Sequence, residues 1–498
     1  MADYDLAIIG GGINGTGIAR DAAGRGLRVL LLEQGDLASG TSSASTKLIH
    51  GGLRYLEHGA FRLVREALSE REVLLRTAPH LVRPTRFVLP VAPKLRSSIV
   101  LRIGLFLYDW LGARKILPPA RSIDLTQDAA GQPLLPAFRT GYEYSDCRVD
   151  DSRLVVLNAL DAAEHGAKIR TRTRVTHAER GEVWRLHFDA EGQCTVATAR
   201  VLVNAAGPWA GVVAGTVMGR EGRPPLRLAK GSHIVVPKLF EHDRGYILQN
   251  DDKRVVFVLP YAEDFTLIGT TDENYTGGLD AVAPTPGEVD YLCRAVGRFF
   301  RTPVVPAQVV WAFAGVRSLY DESGGSEAPE DVTRDYRLVL DELPNMAPAL
   351  TVYGGKITTC RRLAEDALGR LSHLFTLRAP WTAVTPLPGG DFSWDGIGAL
   401  VAQTVQAWPF LQEAEARRLV GAYGTRLKTV FAGAARREDL GPFFGSLSAA
   451  EVRYQMTHEW ARVPDDVLWR RSKLGLTLAP DAKVTLARFM AAESVAKA

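Results

Sequence analysis

The run Gly10-Gly11-Gly12-Ile13-Asn14-Gly15 constrains this chain more than any other segment. It fits G-x-G-x-x-G and lies between the apolar run Leu6-Ala7-Ile8-Ile9 and a small-residue stretch, Thr16 to Gly26. Arg28-Val29-Leu30-Leu31-Leu32 follows as a second apolar run. Strand, turn, helix and strand in that order predict a parallel βαβ unit and an α/β fold. Gly10 permits the tight turn, Gly12 lets the backbone approach a pyrophosphate, and Gly15 lets helix and strand pack closely. The helix start adds unpaired N–H groups and a favourable dipole. Glu33 ends the second strand, where a carboxylate can accept hydrogen bonds from both ribose hydroxyls of an adenosine. A dinucleotide cofactor is expected, and the motif alone leaves NAD and FAD open.

A chain of 498 residues exceeds one compact core, so two or three domains are expected. Helical patterning spans Phe61 to Thr77, and short alternating stretches such as Val183 to Phe188 predict antiparallel strands between Thr171 and Val203. Further strand-like runs are Ile234–Pro237, Val255–Leu259 and Phe265–Ile268. From about Ala399 the chain becomes helical, after a Pro/Gly-rich boundary at Pro386 to Asp391. Cys147, Cys194, Cys293 and Cys360 are scattered, which argues against a disulfide framework or a metal site and predicts a reducing compartment. Asp3 and Asp5 precede the first apolar run, where an export signal carries positive charge. The longest apolar stretch, Ile99 to Leu111, is interrupted by Arg102 and Asp109, so a cytoplasmic chain without a membrane span is expected. A formal charge of +4 suits an anionic substrate or an acidic lipid surface, or neither, and no nucleic-acid partner is expected.

A second strand-to-turn junction, Val201 to Trp209, ends in small residues and offers another close backbone approach. Together the two elements resemble the two-part FAD fold of the glutathione-reductase and D-amino-acid-oxidase superfamily. The resemblance narrows at Ser42 to Glu57, which is similar to a segment of the FAD-dependent glycerol-3-phosphate dehydrogenases. Gly231-Ser232-His233, Gly315-Val316-Arg317, Thr333 to Tyr336 and Gly354 to Thr359 are similar to further segments of that family. One departure is Cys360, where the family usually has Tyr; a local difference in packing or flavin environment is expected there.

The resemblance implies FAD and a discontinuous cofactor domain over about 1–75, 145–215 and 340–388. It also implies an antiparallel cap domain over about 76–144 and 216–339, and a helical C-terminal domain over 389–498. The cofactor contacts it implies are Gly10, Gly12, Asn14, Gly15, Glu33 and Gln34, then Ser42, Ser43, Ser45, Thr46, Lys47 and Leu48. Ala206, Gly207, Trp209, Gly355, Lys356, Ile357 and Thr358 complete that set. Substrate contacts are implied at Arg54, Tyr55, His233, Arg317, Arg334 and Lys356.

The chemistry of these residues agrees with that reading. A dianionic phosphoester needs fixed cations, and the guanidinium fork matches phosphate oxygens. Oxidising a secondary alcohol also requires a proton acceptor near neutral pH, for which His50 is preferred and His233 is second. Lys356 stands either against substrate or at the flavin edge, where a cation stabilises the reduced ring. The catalytic set expected is therefore His50, Arg317 and Lys356. The reaction expected is hydride transfer from C2 of sn-glycerol 3-phosphate to flavin N5, giving dihydroxyacetone phosphate, with electrons passing to a membrane quinone. The alternative is an oxidase using oxygen. Peripheral membrane association and a possible homodimer go with this reading. Between Lys94 and Arg121, cations flank Ile99, Ile103, Phe106, Trp110 and Leu111 at helical spacing; that segment reads equally as a lipid-facing or a buried helix.

Overall fold

The computed structural model describes residues 2–57, 59–91, 98–112, 116–190, 192–219, 226–252, 254–321 and 335–495. The glycine-rich motif joins strand β1 (Tyr4–Ile9) to helix α1 (Ile13–Gly24), which leads to β2 (Val29–Leu32). β1 pairs in parallel with β2 on one side and with Gln193–Asn204 on the other. Lys168–Arg170 lies beyond β2, and Met346–Tyr353 beyond the 193–204 strand, both in parallel. Such strands are covered on both faces, which is why they read as unbroken apolar runs. Ile8 and Leu31 enter one core with Ile18, Val156 and Leu363. Ala7 and Leu30 enter the opposite core, with Trp184 and Phe188 from the meander Thr173–Arg180, Trp184–Ala190 and Gln193–Asn204.

A second, mostly antiparallel sheet holds Val82–Pro90, Thr140–Val149, Leu226–Pro237, Gly245–Gln249, Val255–Tyr261, Phe265–Gly269 and Trp311–Tyr320. Leu48–Ile49 pairs with Thr140–Val149 in this sheet, although the sequence partition assigns both 48–49 and 145–149 to the cofactor domain. The segment after β2 thus crosses from one sheet to the other, and the linking residues lie between the two.

Helix α2 (Phe61–Thr77) packs beside α3 (Ser98–Leu111), whose two faces differ sharply. Leu101, Leu105 and Tyr108 are buried, whereas Ile99, Ile103, Phe106 and Trp110 are 72, 55, 67 and 71 % exposed. Among the described residues no helix is long and apolar enough to cross a membrane, and the four cysteines are free.

The C-terminal helices, including Ile397–Ala407, Glu413–Tyr423 and Ala449–His458, have small cores of their own. Buried ion pairs fix them to the cofactor domain. Arg153 meets Glu459 at 2.5 Å, and Arg471 grips both oxygens of Asp36 at 2.7 and 2.9 Å. Trp469 also stacks on Trp311 of the second sheet, with ring centroids 4.6 Å apart. Losing one partner of a buried pair typically costs about 3–5 kcal/mol. Arg153→Met should lie near the lower end, about 3 kcal/mol, because Arg471 remains 3.9 Å from the stranded Glu459 carboxylate. Denaturant unfolding followed by tryptophan fluorescence checks this; a loss under about 1 kcal/mol would mean that the pair does not hold the domain.

Candidate active site

A cavity of about 1120 Å³ runs from the glycine-rich turn to the face of the second sheet. It exceeds the roughly 300–1,000 Å³ of common small-molecule pockets, as an extended dinucleotide plus a substrate requires. At its first end Gly10 has φ 116°, and a Cβ there would approach the Ala205 carbonyl oxygen at 2.5 Å. A Cβ on Gly15 would overlap the carbonyl oxygen of Gly10. Gly15 therefore does not line the cavity; its role is the tight helix–strand contact. No side chain caps α1 at Gly12, and the Ile13 N–H donates to Ser42 Oγ at 3.0 Å. Glu33 accepts from the Gly11 and Gly35 N–H groups at 2.6 and 2.7 Å. Removal from water pushes its pKa up while these amides pull it down. The carboxylate is fixed and keeps lone pairs for a ribose. Gln34 also lines this end, as does Arg174, which the sequence reading did not single out.

Ser42, Ser45, Thr46 and Leu48 line the middle, together with Ala206, Gly207 and Trp209 from the second junction. Ser43 lines a smaller adjoining cavity instead. Lys47 lines neither: its ammonium is buried against Asp151 at 2.8 and 2.9 Å and donates to the Ser43 carbonyl. Ser45 Oγ also donates to Asp151, at 2.7 Å. The expected contact at Lys47 is thus placed as a clamp on the loop, because a carboxylate stands under it.

The second sheet supplies the other end. Gly231 faces Gly315 across paired strands, with His233 opposite Phe313 and Ala229 opposite Arg317. Two facing glycines leave a trough, and a Cβ on Gly315 would meet Ala44 at 3.0 Å. His233 is buried, stacks on Phe313 at 5.0 Å and 10°, and has Nε2 3.0 Å from Thr46 Oγ1. Burial, aided by the charges of Lys47 and Arg317, pushes its pKa down to about 3, so the ring is neutral near pH 7. Arg317 lines the cavity with its guanidinium 2.8 Å from Asp272, a partner that only the structure reveals.

His50, Tyr55, Gly355, Lys356, Ile357 and Thr358 close the same end. His50 donates its N–H to Thr358 Oγ1 at 3.3 Å, and the Lys356 ammonium is 3.8 Å from the centroid of the Tyr55 ring. Asn14 ties α1 to this edge by donating to the Gly354 carbonyl at 3.0 Å. Arg54 does not line the cavity, and Arg334 lies outside the described residues. Cys360 is in the core and not on the cavity wall, with burial pushing its thiol up to about 12; its difference from Tyr is one of packing. Among the described residues no cluster of His, Cys, Asp or Glu could hold a metal ion.

Residues 5–346 match the FAD dependent oxidoreductase family, and 381–495 match the C-terminal domain of alpha-glycerophosphate oxidase. A glycerol-3-phosphate dehydrogenase of Pseudomonas aeruginosa is 50 % identical, over 98 % of this chain and 95 % of that protein. The chain belongs to the FAD-dependent glycerol-3-phosphate dehydrogenase family. A D-erythritol 1-phosphate dehydrogenase of Brucella abortus is 49 % identical, over 94 % of each chain. The solved glycerol-3-phosphate dehydrogenase of Bacillus halodurans, complexed with FAD, has the same fold, with TM-score 0.77 and 24 % identity over 98 % of this chain and 90 % of that one.

FAD is accordingly the cofactor of this family member, and the residues present suit it. The glycine cradle leaves room for phosphates only by lacking side chains. Asn14 Oδ1 and His233 Nδ1 are buried without a hydrogen-bond partner on residues that line the cavity, where a polar ligand can complete them. Gly15→Ala should therefore weaken FAD binding by at least about tenfold and yield a pale or colourless protein. Flavin released by acid, measured per chain, checks this; full occupancy would refute the proposed cradle.

Proposed function

We propose that the protein oxidises sn-glycerol 3-phosphate to dihydroxyacetone phosphate and delivers the electrons to a quinone at a membrane surface. The observation carrying this reading is the set at one cavity end: the cations Arg317 and Lys356 beside His50 and a neutral His233. Arg317, oriented by Asp272, holds the phosphate, with Arg334 as a further cation, Tyr55 as a hydroxyl donor, and Arg54, off the cavity wall, adding only its charge. Bound FAD supplies the acceptor for the hydride lost from C2. His50 takes the proton from the C2 hydroxyl, and His233, too weak a base at pKa about 3, orients that hydroxyl by hydrogen bonding. Lys356 offsets negative charge at the flavin edge. The proposed cofactor contacts are those expected from the sequence, except that Gly15 acts through helix–strand packing, Lys47 through its loop, and Ser43 from the adjoining cavity.

Losing a charge-assisted phosphate contact costs about 1.5–3 kcal/mol. Arg317→Ala should therefore lower kcat/KM for glycerol 3-phosphate by roughly 10- to 150-fold while FAD stays bound. Dye-linked assays check this, and a loss under about threefold would remove Arg317 from the phosphate site.

The 49 % identity to a D-erythritol 1-phosphate dehydrogenase favours a second reading, in which a longer alditol phosphate is the substrate. Both compounds carry a phosphate ester on a terminal carbon whose neighbour bears a secondary hydroxyl, so the same cations serve either. Comparing kcat/KM for the two on one preparation decides between them. Oxygen consumption against reduction of a quinone analogue likewise separates oxidase from dehydrogenase.

The membrane reading rests on α3. Its outward face carries Ile99, Ile103, Phe106 and Trp110, an apolar stripe beside the exposed Arg102, as an interfacial helix requires. The flanking Lys94, Arg96, Arg114 and Lys115 lie outside the described residues. The protein should float with anionic liposomes at low salt, and Phe106→Ser/Trp110→Ser should lose most of that binding while keeping FAD. Wild-type protein remaining unbound at low salt would point to a soluble acceptor.

A further inference from the structure

The inward face of α3 makes a contact that the reaction as described does not use. Tyr108 is 2 % exposed, and its hydroxyl oxygen accepts the Gly51 N–H at 2.7 Å. The hydroxyl donates to Asp146, whose two oxygens lie 2.9 and 2.7 Å away. Asp146 in turn holds Arg71 at 2.7 Å, and Arg71 donates to the Ser145 carbonyl at 3.0 Å. All three side chains are buried, and none lines the cofactor cavity. Burying an ion pair is seldom a net gain in stability, so its placement calls for another reason.

The reason lies one residue away. Gly51 follows His50, and Gly52 after it has φ 75°, so the backbone here is two consecutive glycines with little intrinsic stiffness. His50 is held on one side by Thr358, which accepts its N–H at 3.3 Å and lies 3.4 Å from its carbonyl oxygen. Tyr108 holds the other side. A Cβ on Gly51 would come within 2.7 Å of the Tyr108 hydroxyl and 2.6 Å of Leu68, so this close fit excludes any side chain. The N–H of Gly51 thus meets the Tyr108 hydroxyl, with the Asp146 carboxylate also in reach behind it, and Arg71 fixes that carboxylate.

We propose that Tyr108, backed by Asp146 and Arg71, is a positioning residue that sets the place of His50 in the reaction. The proposal rests on the reading of His50 as the proton acceptor. Tyr108 touches neither substrate nor cofactor and acts only through the Gly51 backbone. Displacing a reacting group by about 1 Å can cost on the order of 100-fold in rate. Removing only the hydroxyl leaves the ring, its packing and its contact with Tyr144 in place.

Stopped-flow reduction of the bound flavin by glycerol 3-phosphate, followed across pH, tests this with Tyr108→Phe. Expected is a reduction rate lowered roughly 10- to 100-fold, with unchanged FAD content, KM within about threefold of wild type and a retained rising limb with pH. A purely structural role would lower thermal stability and leave the rate per bound flavin alone. Asp146→Asn keeps an acceptor for the Tyr108 hydroxyl but removes the charge facing Arg71; a smaller rate loss is expected, and it carries the test if the Phe variant does not fold. A rate within about twofold of wild type in either folded variant overturns the positioning role. His50→Asn is run beside them: wild-type speed there overturns the base assignment, whereas slow His50→Asn with fast Tyr108→Phe overturns only the positioning role.

Discussion

Three backbone segments meet without intervening side chains where β1 and the 193–204 strand end, and the whole site is built out from that meeting. Gly10 faces the Ala205 carbonyl, and Gly15 faces that of Gly10, so α1 starts almost in contact with the sheet. This proximity aims the uncapped start of α1 at the cavity. It also brings Asn14 within hydrogen-bonding distance of Gly354, which joins the cofactor turn to the segment carrying Lys356 and Thr358. Thr358 then meets His50, so the two ends of a long cavity share one chain of contacts. Any side chain at the first meeting would lever α1 outward and move the rest.

Electrostatics divides the charged groups near the site into those that hold the protein and those that face the cavity. Lys47 is committed to Asp151 and stiffens the loop that lines the cavity; Arg317 is held by Asp272 yet remains on the wall. A guanidinium has five N–H groups, so one carboxylate contact orients it without exhausting its donors. The neighbouring cations also help to keep His233 uncharged. A neutral, buried His233 and a His50 held through its backbone differ in a way that their sequence positions alone do not show.

Much of this was legible in the sequence because the determinants are local. The glycine spacing defines the βαβ turn, Glu33 falls at the strand end, and helical periodicity brackets Phe61–Thr77. What escaped depends on partners far along the chain. Lys47 resembles its neighbours in the loop, and only Asp151, beneath it in space, diverts its charge. Leu48–Ile49 is too short to reveal which sheet it joins. In α3, apolar residues surround the helix, so periodicity cannot say which face is covered; Leu101 and Leu105 are, Phe106 and Trp110 are not. Tyr108 was invisible for the same reason, since its value lies in meeting Gly51 across the fold.

The Pro/Gly-rich stretch before the C-terminal helices looks in sequence like a loose tether, yet it is pinned at both ends. Leu387 is buried and donates its N–H to the Thr77 carbonyl at 2.7 Å, while Gly389 accepts from Thr425 at 3.1 Å. Gly389 and Gly424, with φ 88° and 53°, cross so closely that a side chain on either would strike the other strand of the crossing. Further along, Trp469 lies on Trp311, Trp311 on Phe313, and Phe313 on His233, at centroid spacings of 4.6, 4.5 and 5.0 Å. The helical region is therefore a buttress and not a swinging appendage. Peeling it away would uncover Trp311, which backs Phe313 and through it His233, so trimming at the linker would loosen the support of that imidazole.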